Sequence, residues 1–348
     1  MSMKIAIIGT GWGARVQVPA FRSAGLKIVG IAAQNYEKTQ REAASLNVEA
    51  FEHWRDLLSS DADLISIVTP PGTHCEMSVA ALEAGKHVLC EKPTALNVLE
   101  AQTMLEAAQA HPEQLSLIDH ELRFLPIFQM ARALINDNAI GQIRHVNSSV
   151  IFSSRADPQR PWNWWSDKEQ AGGAWGAIGS HQIDMLRWLC GDFSSIRASL
   201  HTFVAERPLD DQLLPVTSDD FATAQVRLAN GGFASIMISG VAALNENDRM
   251  IIHGEHGAIK IEGARLWHAE RDGEWQERTP AHTVAIPSEI SGNFPVGTVY
   301  LGHALKAYSR GQLDALEQAA TFSDGLLTQS LLDAAHRSDE NDGGWITI

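Results

Sequence analysis

Three glycines within five residues, in KIAIIGTGWGA from Lys4 to Ala14, constrain this chain more than any other stretch. Lys4 to Ile8 is a short apolar run suited to a strand buried on both faces, and Val16 to Ala24 can continue as a helix. Gly9-x-Gly11-x-x-Ala14 then fits a fingerprint with three demands. One glycine permits the tight turn, a second lets a pyrophosphate approach the backbone, and a small third residue lets helix and strand pack closely. The helix N-terminus adds N–H donors and a partial positive charge. The predicted ligand is a dinucleotide, held by Gly9, Thr10, Gly11, Trp12 and Gly13.

The first 120 or so residues repeat the alternation. Apolar runs at Lys27 to Ala33, Leu64 to Thr69, His87 to Cys90 and Leu115 to Ile118 are separated by helical stretches such as Tyr36 to Leu46 and His74 to Ala84, the latter followed by a C-cap glycine, Gly85. That rhythm predicts an α/β fold with a doubly wound parallel sheet. After Phe124 the pattern changes to helix, strand, a Trp-rich loop and another helix. Strands follow around Ile143 to Phe152, Ile196 to Val204, Thr223 to Leu228, Phe233 to Ser239, Met250 to His253 and Ala258 to Glu262. Short polar or glycine-containing turns join most of them, which suits a large, mostly antiparallel sheet in a second, α+β domain. Helices are predicted around Val299 to Ser309 and Asp324 to Ala335, and a terminal strand at Trp345 to Ile348. The expected division is 1–122 for the dinucleotide domain and 123–348 for a substrate-binding and oligomerisation domain. The length of 348 residues supports two cores.

Composition narrows the partners. A formal net charge of -15 opposes binding to a phosphate backbone, and no basic patch offsets it. No apolar run reaches the roughly 20 residues of a membrane span, and the start lacks a signal-peptide core, so the expectation is a soluble cytoplasmic enzyme. Three cysteines, Cys75, Cys90 and Cys190, are too few and too scattered for a disulfide framework or zinc site, and no metal is expected.

Ligands of open parallel sheets sit at the carboxyl ends of the strands. Those ends read Gly9, Ala33-Gln34-Asn35, Thr69-Pro70-Pro71, Glu91-Lys92-Pro93 and Asp119-His120. With GTGWGA, TPPGTH, CEKP and GGAWGAIGSHQID in this order and spacing, the chain resembles the Gfo/Idh/MocA oxidoreductases over nearly its full length, late segments such as ATFSDGLLTQSLLDAAHRS included. The resemblance implies an N-terminal Rossmann domain, a C-terminal open-sheet domain that assembles dimers or tetramers, and chemistry on a sugar or cyclitol.

By motif match, Lys92 lies near the nicotinamide and the substrate hydroxyl, where partial desolvation beside a cationic ring favours its use as a base. His181 matches the histidine that contacts the reacting hydroxyl. Imidazole suits proton exchange near neutral pH, and Gly172, Gly173, Gly176 and Gly179 just before it permit close approach of backbone and substrate. Many family members carry aspartate four residues before this histidine, whereas this chain has Ala177. Either Lys92 and His181 suffice, or another acid such as Asp184 or Asp119 substitutes, or the chain has left dehydrogenase chemistry. Arg123 and Pro126 match the family's Arg-Phe-x-Pro crossover, with Arg123 either at the substrate or in a structural network. In Arg160-Pro-Trp-Asn-Trp-Trp165, the indoles of Trp162, Trp164 and Trp165 can either pack on C–H faces of a sugar or seal an interface.

Further cofactor contacts are expected from Ala33, Gln34, Asn35, Lys38, Thr69, Pro70, His74 and Glu91. A carboxylate at the end of the second strand would bind the ribose hydroxyls and repel a 2'-phosphate. None appears before Glu37, while Lys38 and Arg41 are either solvated helix residues or within reach of that phosphate, which tilts the choice between NAD and NADP toward NADP. The sequence thus predicts an NAD(P)-dependent oxidoreductase acting on a secondary alcohol or ketone of a sugar-like molecule. A redox-neutral sugar-modifying enzyme and a non-catalytic cofactor-binding sensor are the alternatives.

Overall fold

A computed structural model describes residues 3–348. Six short parallel strands build the first sheet: β1 (Lys4–Ile8), β2 (Lys27–Ala32), β3 (Glu49–Phe51), β4 (Leu64–Ile67), β5 (His87–Cys90) and β6 (Ser116–Ile118). Their order is β3-β2-β1-β4-β5-β6, with Ala320–Thr321 added antiparallel at the β6 edge. The strand order reverses between β1 and β4, so the crevice at their carboxyl ends is the binding position for a fold of this kind. Successive side chains feed opposite layers. Ala6, Ile8, Ile65, Ile67, Val88 and Cys90 pack into one apolar cluster, and Ile5, Ile7, Leu64 and Leu89 into another. Burial of each large side chain contributes about 1.5–3 kcal/mol, which explains why the runs are continuously apolar.

Helices α1 (Val18–Ser23), α2 (Tyr36–Leu46), α3 (Trp54–Leu58), α4 (His74–Glu83) and α5 (Val98–Ala110) make the crossovers. Asn35 caps α2, its side chain accepting from the Lys38 N–H at 2.9 Å, and Asn97 caps α5 in the same way through Glu100 N–H. Gly85 follows α4 with φ +73°, the left-handed C-cap expected there. The short β3 and α3 were not anticipated, because Glu49–Phe51 is too brief to show a period.

The chain divides into two compact units, and the division differs from a single cut at 122/123. One unit holds residues 3–125 together with His282–Leu326; the other holds Pro126–Ala281 with Leu327–Ile348. The physical reason is a helix from late in the sequence, Asn293–Tyr308, which completes the first unit. Its Leu301 and Leu305 join the cluster of Phe21 and Ala24, and a Cβ on Gly302 would lie 3.1 Å from Phe21, so the two helices touch closely.

In the second unit, α6 (Pro126–Asn136) and α7 (Ser180–Cys190) accompany strands β7 (Ile143–Ile151), β8 (Phe193–His201), β9 (Glu206–Leu209), β10 (Gln212–Pro215), β11 (Phe221–Leu228), β12 (Phe233–Ser239), β13 (Arg249–Gly254), β14 (Gly257–Glu262), β15 (Arg265–Glu270) and β16 (Gln276–Glu277). Nine strands form one sheet in the order β16-β15-β14-β13-β7-β12-β11-β8, closed by Ile346–Thr347 at the edge. All pairs are antiparallel except β7 with β12. No hairpin could join those two, since the Trp-rich loop and α7 intervene, and a long crossover permits parallel pairing. One face buries Val146, Ile196, Ile236 and Ile252; the other presents Asn147, Ser149, Arg197, Gln225 and Ser235 along a broad concavity of about 600 Å³. β9 and β10 form a separate hairpin that the sequence did not reveal.

Gly9 has φ +127°, and a Cβ there would lie 2.1 Å from the Val68 carbonyl oxygen, whereas a Cβ on Gly11 would meet nothing within 4 Å. Gly9→Ala is therefore expected to lower stability by more than about 2 kcal/mol, and Gly11→Ala to leave it within about 1 kcal/mol of wild type. Urea denaturation of the two variants checks the contrast, and equal losses would contradict it.

Candidate active site

The glycine loop runs from β1 into one π-helical turn, Gly13–Gln17, that continues as α1. Its three glycines answer three different demands. Gly9 lets β1 turn against Val68. Gly11 borders open space, the cradle a pyrophosphate needs, and its carbonyl accepts from the Arg15 Nε at 3.2 Å. A Cβ on Gly13 would lie 2.7 Å from Ile7 Cγ2. Close helix-on-strand packing thus falls to Gly13, a demand the spacing read from the sequence did not name, with Ala14 buried beside it. Thr10 and Trp12 are half-buried beside this cradle, and Arg15 is exposed. Sequence reading passed over Arg15, although a cation one turn into the first helix is the signal that marks it. At the end of β2, Ala33 is half-buried and Gln34, Asn35 and Lys38 are exposed, with no carboxylate before Glu37.

After β4, Thr69 Oγ1 accepts from Thr73 Oγ1 at 2.7 Å. His74 is fully buried, with Nε2 2.9 Å from the Thr69 carbonyl oxygen and Nδ1 3.0 Å from that of Pro93. Burial holds its pKa below the ordinary value. The imidazole therefore bridges the loop after β4 and the loop after β5.

The densest chemistry lies beyond β5 and β6, where Glu91, Lys92, Asp119 and Glu121 meet. Gln17 Nε2 donates to Asp119 Oδ2 at 2.9 Å and lies 3.4 Å from Glu91 Oε1, while the Lys92 backbone N–H donates to Glu91 Oε2 at 3.3 Å. Burial pushes the Asp119 carboxyl up to about 6, and hydrogen bonds from Glu91 and Gln17 oppose that rise. Burial, then the charge of Asp119, raises Glu91 well above the carboxylate range. Glu121 is raised by burial and by both neighbouring acids. The Lys92 charge pulls all three down. Carboxyl groups crowded in this way keep protons that they would lose in water.

Of the two roles the sequence left open for Arg123, the structure shows the network. It is 4% exposed and forms an ion pair with Asp324 at 3.1 Å, inside the first unit. Asp324 also accepts from the Thr321 backbone and hydroxyl, so the guanidinium is committed to a network at the start of the helix Phe322–Glu340.

In the second unit the glycine-rich segment is a packing device. Cβ atoms on Gly172, Gly173, Gly176 and Gly179 would fall within 3 Å of the Trp164 carbonyl oxygen, Asp219 Oδ1, the Ala171 carbonyl oxygen and the Trp175 ring respectively. The glycines are thus required by the chain's own contacts, a different reason from the substrate approach inferred from sequence. A π-helical turn, Trp175–Gly179, holds buried Ala177 and runs directly into α7, which carries His181 and Asp184, 2% and 1% exposed. His181 is thus inside a helix, and Asp184 stands about one turn on.

Trp162 Nε1 donates to the Pro215 carbonyl at 3.0 Å, and the Arg155 guanidinium lies 4.0 Å over the Trp165 ring, which stands edge-on to Trp164 at 6.2 Å. All three indoles are half-buried, with framework contacts in addition to whatever they bind. Cys90 and Cys190 are buried free thiols, Cys190 pushed up to about 12 by burial, and Cys75 is partly exposed and free. Among the described residues no group of three or more His, Cys, Asp or Glu could hold a metal ion, and no helix is long and apolar enough to cross a membrane.

Asp219 is an acid that sequence reading missed, because SDDF looks like a polar turn. Its Oδ2 accepts the Trp175 N–H at 2.8 Å, and burial pushes its pKa up to about 7. The folded chain keeps this proton up to about pH 7, whereas an unfolded aspartic acid loses it near 4. The resulting stability is fully present below pH 4 and lost as pH rises through 7. Relative to wild type, Asp219→Asn is expected to gain about 2 kcal/mol between pH 5 and pH 8. Urea midpoints at the two pH values measure it, and a constant difference would refute it.

Comparison with known proteins supplies independent support. Residues 3–118 match a family model described as the oxidoreductase family with an NAD-binding Rossmann fold, and residues 128–260 match the GFO/IDH/MocA C-terminal domain. The chain is 34% identical over 301 residues to the uncharacterized oxidoreductase sll0816 of Synechocystis sp., covering 82% of this chain and 81% of that protein. It is 33% identical over 268 residues to levoglucosan dehydrogenase of Pseudarthrobacter phenanthrenivorans, covering 72% and 65%. A solved structure of levoglucosan dehydrogenase in complex with NADH and levoglucosan superposes with a TM-score of 0.89 at 26% identity, covering 100% of this chain and 99% of that one. With a glycine cradle at the β1/β4 switch point and a lysine just past β5, this chain belongs to the Gfo/Idh/MocA family of NAD-binding oxidoreductases.

Proposed function

We propose that this protein transfers hydride between a nicotinamide dinucleotide and the carbon of a secondary alcohol or ketone in a sugar-like or cyclitol-like substrate. The observation that carries the reading is the placement of Lys92. It follows β5 on the same carboxyl edge as the open Gly11 loop and stands among three acids at the sheet's end. A bound dinucleotide supplies the hydride acceptor or donor. Gly9 to Gly13 would hold its pyrophosphate, with Arg15 alongside, and the end of β2 would take its ribose.

Lys92 takes the hydroxyl proton during oxidation and returns it during reduction, a role that needs a group held in fixed orientation. The motif match assigns His181 the second proton-handling part. Solvent-exposed Gln34 and Asn35, in place of an acid, leave room for a 2'-phosphate, and Lys38 and Arg41 are the cations that would meet it. The cofactor reading therefore extends to NADP beside NAD. The polar face of the nine-stranded sheet is the surface we assign to assembly of copies, and the reading places the enzyme in the cytoplasm.

The test is an absorbance screen at the reduced-nicotinamide band, pairing NAD and NADP with sugars, anhydrosugars, cyclitols and their keto forms. Wild type is expected to turn over at least one, and Lys92→Ala to lose at least about 100-fold in kcat. Undiminished turnover in the variant would remove Lys92 from its role. Substrate conversion without net formation of reduced cofactor would instead favour a redox-neutral enzyme.

A further inference from the structure

Gln17 was not among the residues that the sequence marked, yet it is fully buried at the centre of the acid cluster. Its Oε1 accepts from Ser66 Oγ at 2.6 Å, while its Nε2 donates to Asp119 Oδ2 and faces Glu91 Oε1. Ser66 is itself fully buried, the one polar residue in the Leu64–Ile67 strand. A buried amide or hydroxyl is costly unless bonded, so both are retained for this network. The single amide joins four neighbouring segments: the turn after β1, the strand β4, and the ends of β5 and β6. The glutamine head group carries an acceptor oxygen and a nitrogen with two N–H donors, which matches one bond from Ser66 and contacts to both carboxyls.

We propose that Gln17 is a positioning residue for Lys92, holding Asp119 and Glu91 as a hydrogen-bonded carboxyl pair that fixes the counter-charge behind the ammonium. The inference rests on the reading of Lys92 given above. Glu91 precedes Lys92 directly and accepts from its backbone N–H, so a displaced Glu91 carboxyl moves the segment that carries the lysine. Glu121 completes the set of acids whose protonation the Lys92 charge influences, His74 also registers that charge, and the buried Cys90 thiol registers those of Glu91 and Asp119. The turn carrying Gln17 begins at Gly13, directly after the loop assigned above to the dinucleotide.

The test compares wild type with Gln17→Met, which keeps length and volume and removes both hydrogen-bonding functions. Two measurements use the protein without dinucleotide. Carbon-13 NMR follows the Asp119 carboxyl, whose titration is expected to move upward because the Gln17 N–H no longer stabilises the anion. Reductive carbon-13 methylation follows Lys92, assigned with Lys92→Ala, whose dispersed signal is expected to move toward the exposed-lysine position. In turnover, kcat is expected to fall about 10-fold or more with the dinucleotide KM within about threefold, and Ser66→Ala to give a smaller change in the same direction. Unmoved Asp119 and Lys92 signals in Gln17→Met, or an equal loss of dinucleotide binding and kcat, would overturn the proposal. Should the methionine variant fail to fold, Gln17→Glu is read by the same two NMR signals, with the Asp119 titration again expected upward. If both signals move while wild type turns over no substrate in the screen, the positioning network stands and the oxidoreductase reading of Lys92 fails.

Discussion

The close seating of β1 against β4 governs everything that follows from this fold. Gly9 sits over the Val68 carbonyl, and Val68 donates back to the Ile8 carbonyl at 2.7 Å. Only a residue without a side chain allows the chain to leave β1 at that point, with a positive φ, and enter the next helix. That departure opens the cradle at Gly11 and seats Gly13 on Ile7. It also points Gln17 inward, toward the ends of β5 and β6.

The second governing condition is electrostatic. Three acids and a lysine at the end of one sheet would be unstable if all were ionised and unpaired. The structure resolves this by sharing protons and by spending one amide and one serine on the pair Glu91 and Asp119. Burial, the neighbouring ammonium and hydrogen bonding oppose one another, leaving Asp119 near 6 and both glutamates raised well above the ordinary carboxylate range. Groups poised in this range are characteristic of sites that handle protons.

What the sequence made legible follows from what each residue must do locally. The strands β1, β2, β4 and β5 announce themselves because burial on both faces demands unbroken apolar runs, and Gly9 because a turn demands it. Lys92 and His181 were visible through their motifs. Gln17 and Asp219 were not, since a glutamine in a helical stretch and an aspartate in a polar turn read as solvated surface, and only tertiary packing buries them. Arg123 stayed open between two readings, because a cation beside a strand end suits a ligand as well as a network and its partner Asp324 lies some two hundred residues away in sequence. The bridging place of His74 was equally illegible, since its ring nitrogens face carbonyls that no local pattern predicts.

The helix Asn293–Tyr308 belongs to the first unit although most of the second unit is encoded before it. On a ribosome, the emerging N-terminal sheet has to wait, with Phe21 and its neighbours lacking their cover, until nearly the whole chain has been made. The two units therefore cannot mature one after the other, as separately encoded domains commonly do.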